Sequence, residues 1–305
     1  MLTLFTTAKP FLGHNGIIQR NALRSWKMLH PDVEILVFGN DEGSAEACAE
    51  IGVRHEPFVG RNEFGTVLVS SMFARAQEMA RHDVLCFVNC DIILLQDFTR
   101  AVSRIRAALP RFVMVGRRWD TEISEPIDFL STNWEQQIRQ RALKAKSRRD
   151  RWWIDYFIFS RGFFGADMPP FAIGRTSWDN WLAWKGWESG CLVDASPSIV
   201  AVHQNHDYGH HPEGTKGVWK GEEARRNFEL SGGWDQLRTI ADATFVLKNG
   251  RVKSNRRRHW FALPRQSKEA KRALIYELWL PSWHFVLGIT RPVRHALGLR
   301  SKGVQ

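Results

Sequence analysis

Apolar residues along this chain fall into short continuous runs, separated by stretches in which they recur every three to four positions. Residues 2–7 and 34–38 are runs of the first kind, and Asp-Val-Leu-Cys-Phe-Val-Asn-Cys-Asp at 83–91 is the strongest of them. A strand covered on both faces reads as an unbroken apolar run, whereas helical spacing marks the segments 17–29, 44–51, 67–80 and 98–109 between them. Pro31 stops the first of those helices, and Gly39-Asn-Asp-Glu-Gly43 turns the chain after the second strand. Weaker strand signals lie at 53–56, 112–115, 154–160 and 198–202, the last running into His203. A Gly-rich turn at 161–165 and a short aromatic helix after Ser177 complete the second half. Strands alternating with helices of about ten residues predict an α/β domain with a mostly parallel sheet flanked by helices. We expect this domain over 1–247 and an extension over 248–305. There is no repeat of fixed period.

Composition agrees with a globular body and then divides it. Of 305 residues, 44% are hydrophobic and 25% charged, ample for a core. The net charge of +11 first suggests nucleic-acid binding. However, residues 248–305 hold 14 basic and 2 acidic side chains, which leaves 29 basic against 30 acidic in 1–247. Basicity belongs to the extension, and no nucleic-acid partner is expected. Cys48, Cys86, Cys90 and Cys191 form no CxxC pair and sit in apolar runs, so they are expected to be buried thiols in a reducing compartment. The first residues lack the charge and apolar length of a leader. The stretch 274–290 is broken by Glu277, Pro281 and His284, so no spanning helix is expected. A cytoplasmic setting follows.

Ligands of open α/β sheets bind at the carboxyl ends of the strands, which directs attention to Asn89 and Asp91. Strand alternation would point both the same way with Cys90 opposite, and two oxygen donors there can share a hard divalent cation. A strand-ending Asx turn explains the same residues. Four imidazoles, His203, His206, His210 and His211, crowd nine residues after the late strand. Without a partnering Cys pair they support structural zinc weakly. Asp155 stands among aromatics in Trp152-Trp-Ile-Asp-Tyr-Phe157 and must be paired if buried.

The order Phe5-Thr-Thr7, Leu36-Val-Phe-Gly-Asn40 and Phe87-Val-Asn-Cys-Asp-Ile92 resembles the nucleotide-diphospho-sugar glycosyltransferases of the GT-A fold, over about residues 1–210. The resemblance implies a Rossmann-like GT-A domain, Mn²⁺ or Mg²⁺, a nucleotide diphosphate sugar as donor, and a glycan or lipid-linked acceptor. It places Asp91 and Asn89 in the family's Asp-x-Asp metal motif, with Asn89 where many members carry the first Asp, and either His203 or His206 as the completing ligand. Asp179, within Gly174-Arg-Thr-Ser-Trp-Asp-Asn-Trp181, falls where such enzymes keep an acid near the acceptor; the alternative is an N-cap. Trp178 and Trp181 would offer faces to a sugar. Asp155 would orient the donor sugar. Thr6, Thr7 and Lys9 after the first strand, Asn40 after the second, and Glu63 and Arg75 in the loop and helix that follow would line the nucleotide pocket. For Asp41 an ordinary turn is the better reading, and Glu63 could cap the helix instead.

No P-loop, GxGxxG or GxSxG occurs. The rivals are a sugar nucleotidyltransferase, for which Ala8-Lys-Pro-Phe-Leu-Gly13 is a poor loop, and a non-catalytic binder of sugar nucleotide or nucleic acid. The basic stretch 139–151 reads either as a solvated helix or as a mobile loop screening an anionic substrate. The tail mixes Arg256, Arg257 and Arg258 with Trp260, Trp279 and Trp283, a composition suited to peripheral contact with an anionic membrane surface.

Overall fold

The computed structural model describes residues 1–206 and 214–255. In chain order the elements are β1 (Thr3–Thr7), α1 (Gly13–Lys27), β2 (Glu34–Phe38), α2 (Ser44–Ile51), β3 (Arg54–Glu56), α3 (Val69–Met79), β4 (Val84–Val88), β5 (Ile92–Ile93), α4 (Asp97–Ala108) and β6 (Val113–Val115). Then come β7 (Arg118–Thr121), α5 (Trp134–Ala145), β8 (Tyr156–Ser160), α6 (Trp178–Glu188), β9 (Leu192–Asp194), β10 (Ala201–Gln204), α7 (Gly214–Lys220), α8 (Glu222–Leu230), β11 (Phe245–Lys248) and β12 (Arg251–Ser254).

Nine strands form one sheet in the order β12-β11-β9-β6-β8-β4-β1-β2-β3. Only β8 and β12 run against the rest, so the sheet is mostly parallel. Both faces are apolar, as the unbroken runs require. On β4, Leu85 and Phe87 join Phe5, Phe73 and Phe159 on one face, while Cys86 and Val88 meet Trp26 and Phe98 on the other. The Phe73 ring packs edge-on to Phe5 at 5.0 Å and stacks on Phe159 at 5.5 Å. Each such fully buried ring contributes about 2–3 kcal/mol. All four cysteines are buried and free.

The reversed strand is what builds the site. Because β8 is antiparallel to β4, with Val88 opposite Tyr156, the residue just before β8 lands beside the residue just after β4. Asp155 therefore meets Asn89. A second sheet, β5-β10-β7, stands at this same edge. In it His203 of β10 lies in register with Ile92 on one side and Asp120 on the other.

The boundary at 247 falls next to a hairpin turn: β12 pairs with β11 and continues the sheet, and the compact unit extends to Arg256. In the basic stretch 139–151, residues 139–145 lie in α5, in keeping with the helical reading and against a loop throughout. Arg139 pairs with Asp97 and Glu135, Arg141 with Glu125, and residues 147–149 run alongside β7. Residues 118–121, which gave no strand signal in the sequence, form a strand. Among the described residues no helix is long and apolar enough to cross a membrane. The tail from 256 onward, and with it the membrane-surface expectation, lies outside the described residues.

Candidate active site

Strand β4 ends at Val88, and the Ile92 amide donates to the Asn89 carbonyl at 3.1 Å, closing a turn. The alternation that would aim Asn89 and Asp91 together therefore stops before it reaches them. Asn89 gives its side-chain amide to Asp155 Oδ1 at 3.0 Å. Asp91 instead faces β10: its Oδ2 is 3.1 Å from His206 Nε2 and 3.8 Å from His203 Nε2. One ligand atom from each of these three side chains lies within 4.8 Å of the others. Both histidines, offered as alternatives by the sequence, take part. The Asp91 Oδ1 atom is buried and accepts no hydrogen bond among the described residues. An orphaned carboxylate oxygen beside two imidazoles fits a divalent ion that takes mixed oxygen and nitrogen ligands, Mn²⁺ better than Mg²⁺. Burial alone would push the Asp91 carboxyl up, but His203, then His206 and Lys9, hold it well below the usual carboxylate range. It is ionised at neutral pH.

Two residues that the sequence did not single out stand behind this cluster. Asp120 of β7 lies 3.4 Å from His203 Nδ1, and it accepts from Arg118 Nε at 3.0 Å and from Arg149. Burial opposes its charge, but His203, Arg118 and Arg149 prevail and hold its pKa at about 2. Arg118 is buried and extends its other arm to Asp155 Oδ1. The signal was available as alternation in Arg118-Trp-Asp-Thr121: the charged residues share one side of a short strand.

Asp179 is in the first turn of α6, and the N-cap is Ser177 rather than Asp179. Ser177 has φ of 79°, a left-handed conformation unusual for a residue with a side chain, which marks a constrained turn. Burial pushes the Asp179 carboxyl up to about 7; the nearby Asp155 charge adds to the rise and Arg118 opposes it. Asp179 thus shares an electrostatic neighbourhood with Asp155 and Arg118. Trp178 and Trp181 are corrected: both are buried in the core, against Phe87, Phe157 and Phe171, and neither offers a face to a sugar. The aromatics at the site are others. Trp153 lies beneath the Arg118 and Arg149 guanidinium groups, with the exposed Trp219 edge-on to it at 4.9 Å.

The residues expected on the nucleotide side are less unified. Thr6 is buried, and its hydroxyl donates to the Thr7 carbonyl at 3.1 Å. Thr7 ends β1, and its Oγ1 is buried without a hydrogen bond among the described residues. The Lys9 backbone is gripped by Gln19 at 2.7 and 2.9 Å, and its charge acts on Asp91. Asn40 is exposed after β2, while Asp41 pairs with Arg61 at 3.0 Å. Glu63 pairs with Arg226 and caps nothing, since the N-cap of α3 is Leu68. Arg75 faces Glu56 at 4.0 Å and Met79, at the sheet edge. His210 and His211 lie outside the described residues.

No family model and no curated protein matches the chain in sequence. Among solved structures it is similar to glucosyl-3-phosphoglycerate synthase from Mycobacterium tuberculosis in complex with Mn²⁺, uridine diphosphate and glucosyl-3-phosphoglycerate, at 12% identity over 77% of this chain and 81% of that one, with a TM-score of 0.45. It is also similar to residues 1–349 of S. aureus TarS in complex with UDP-GlcNAc, at 8% identity over 68% of this chain and 59% of that one, with a TM-score of 0.44. At these levels the functional reading rests on this chain's own residues.

Proposed function

We propose that the protein is a GT-A glycosyltransferase, moving a sugar from a nucleotide diphosphate sugar to an acceptor hydroxyl with the help of a divalent ion. The observation that carries this reading is the convergence of Asp91, His203 and His206 just past the carboxyl end of β4. Asp91, His203 and His206 would hold Mn²⁺ or Mg²⁺, which when bound neutralises charge on the departing diphosphate. Lys9, whose charge already acts on Asp91, adds a cation on the same side. Thr6, Thr7, Asn40, Glu63 and Arg75 are the residues we assign to the nucleotide side, Thr7 with the best support because its buried hydroxyl lacks a partner among the described residues.

Asp155 Oδ2 is likewise buried without a hydrogen bond among the described residues, and it suits a donor-sugar hydroxyl. Asn89 steadies that carboxylate and the turn that presents Asp91. Asp179 takes the proton from the acceptor hydroxyl in an inverting reaction: with a pKa near the working pH it is both ionised enough and basic enough to do so, a contribution of about 10²–10⁴-fold. In a retaining reaction it binds the acceptor instead. The acceptor class we favour is a glycan or lipid-linked sugar of cell-surface polysaccharide or glycolipid synthesis, with the basic tail in peripheral contact with the cytoplasmic face of a membrane.

The test is a thermal-shift and hydrolysis screen of UDP-, GDP-, dTDP- and CDP-sugars with Mn²⁺, Mg²⁺ or chelator. A donor that raises Tm and is hydrolysed only with metal, and only when Asp91 is intact, supports the reading. Hydrolysis unaffected by chelator and by Asp91→Ala overturns it. Pyrophosphate release from a nucleoside triphosphate and a sugar phosphate would instead identify a nucleotidyltransferase.

A further inference from the structure

We infer that Asp120 is a positioning residue for the proposed metal ligand His203, and that Arg118 locks both sides of the metal site together; this deepens the divalent-ion reading above and rests on it. An imidazole binds a metal through its unprotonated nitrogen, and the hydrogen-bond partner of the other nitrogen decides which one that is. His203 is buried in β10, directly in register with Asp120 of β7. Its Nδ1 faces Asp120 Oδ1 at 3.4 Å, while its Nε2 faces Asp91 Oδ2 at 3.8 Å. Asp120 so placed would hold the proton on Nδ1 and leave Nε2 as the nitrogen that would bind the ion.

Asp120 is itself a carboxylate close to the site, yet it is held back from the ion. Its Oδ1 accepts from Arg118 Nε at 3.0 Å and its Oδ2 from Arg149, so both oxygens are engaged, and it lies outside the trio of converging ligand atoms. Strand alternation puts Arg118 and Asp120 on one side of β7, and this makes the pairing possible without strain. The same guanidinium, through Nη1, donates to Asp155 Oδ1, the atom that also accepts from Asn89 at 3.0 Å. Asn89 begins the turn that carries Asp91. One buried cation thus fixes the orientation of a ligand from β10 and of the turn bearing a ligand from the β4 side.

The experiment uses the full chain and measures Mn²⁺ affinity directly, from free Mn²⁺ by electron paramagnetic resonance, with no donor present. Asp120→Asn is nearly isosteric and is checked for an unchanged circular dichroism spectrum. It is expected to weaken Mn²⁺ binding 10–100-fold. His203→Ala provides the reference for loss of a ligand. If Asp120→Asn binds Mn²⁺ within twofold of wild type while His203→Ala does not, the positioning role is overturned and the metal reading stands. If wild type binds no Mn²⁺, the metal reading itself falls and this one with it. A second measurement needs no variant: the ¹⁵N spectrum of the Cd²⁺-loaded protein should show the His203 proton on Nδ1 and the metal on Nε2. Metal on Nδ1 overturns the proposal.

Discussion

Asn89 and Asp155 are joined twice, by the Asn89 backbone amide to the Asp155 carbonyl at 2.9 Å and by the Asn89 side-chain amide to Asp155 Oδ1 at 3.0 Å. The pair gives a physical reason for an amide where the resemblance calls for an acid: Asp155 needs a donor, and a carboxylate at position 89 would face another carboxylate at hydrogen-bond distance. Asn89→Asp should therefore lower stability, by about 1–3 kcal/mol at pH 8. Two carboxyls so close share a proton, which raises the pKa of one of them in the folded state. Stability tied to a raised carboxyl pKa is present at low pH and lost as pH rises, so the deficit should shrink at pH 5. Urea unfolding at the two pH values measures it; an equal deficit at both would contradict the account.

Asp179→Asn should separate activity from stability. Burial raises the Asp179 pKa to about 7 from 3.8, so the folded protein favours the protonated form, and wild type loses stability as pH rises from about 4 through 7. Removing the charge recovers up to about 4 kcal/mol at pH 8. In the proposed inverting reaction the ionised Asp179 is the base, so the wild-type rate should climb to a plateau as pH passes about 7, and the variant should lose about 10²–10⁴-fold together with that limb. Rate–pH profiles and melting curves at pH 5 and pH 8 test both halves.

How far the sequence carries can be judged at particular residues. The run Val-Leu-Cys-Phe-Val of β4 declared itself because a doubly covered strand must be apolar throughout, and the chemistry at its end was found by looking where strands stop. Asp155 was noticed for its aromatic company, but its meeting with Asn89 depends on β8 running backwards, which no local pattern encodes. Both histidines were legible as a cluster, whereas their convergence on Asp91 needed the pairing of β10 with β5 and β7. Asp120 and Arg118 were missed because a four-residue strand gives too few positions for alternation to stand out. Trp178 and Trp181 were misjudged for the opposite reason: indoles flanking an acid look the same in sequence whether they face a ligand or, as here, the rings of Phe87 and Phe171.

Arg139→Ala tests how the helical part of the basic stretch is held. Arg139 Nη1 donates to Asp97 Oδ2 at 2.7 Å, and Asp97 is buried with its carboxyl already raised by that burial. Removing the guanidinium leaves Asp97 with the Val200 amide at 3.2 Å as its remaining hydrogen bond among the described residues. The expected loss is about 1–3 kcal/mol at pH 8, smaller at pH 5 where Asp97 is more readily protonated. An arginine on a mobile loop would cost less than about 0.5 kcal/mol at either pH. Chemical denaturation distinguishes the two.

Asn227 of α8 holds the loop leading to Asp179 and makes no hydrogen bond to the proposed metal ligands. It is buried at 1% exposure, accepts from the Ala172 amide at 2.9 Å, and donates to the Ala172 and Thr176 carbonyls at 2.9 and 3.1 Å. Thr176 precedes Ser177, the residue held at φ of 79°, and Asp179 follows two positions later. Neighbouring Glu223 reinforces the latch by accepting from Arg175 at 2.6 Å and, on the other side, from Asn62 at 2.7 Å. Asn227→Ala removes two buried hydrogen bonds and a part-buried third, and should cost about 2–4 kcal/mol. Asn227→Asp should be worse, because a carboxylate oxygen would confront two carbonyl oxygens that now receive a donor. With the strained turn released, kcat should fall at least tenfold, while Mn²⁺ affinity stays within twofold, since Asp91, His203 and His206 belong to the β4–β5 turn and to β10 and its exit. A parallel loss of metal affinity would show that α8 supports the whole site rather than the base alone.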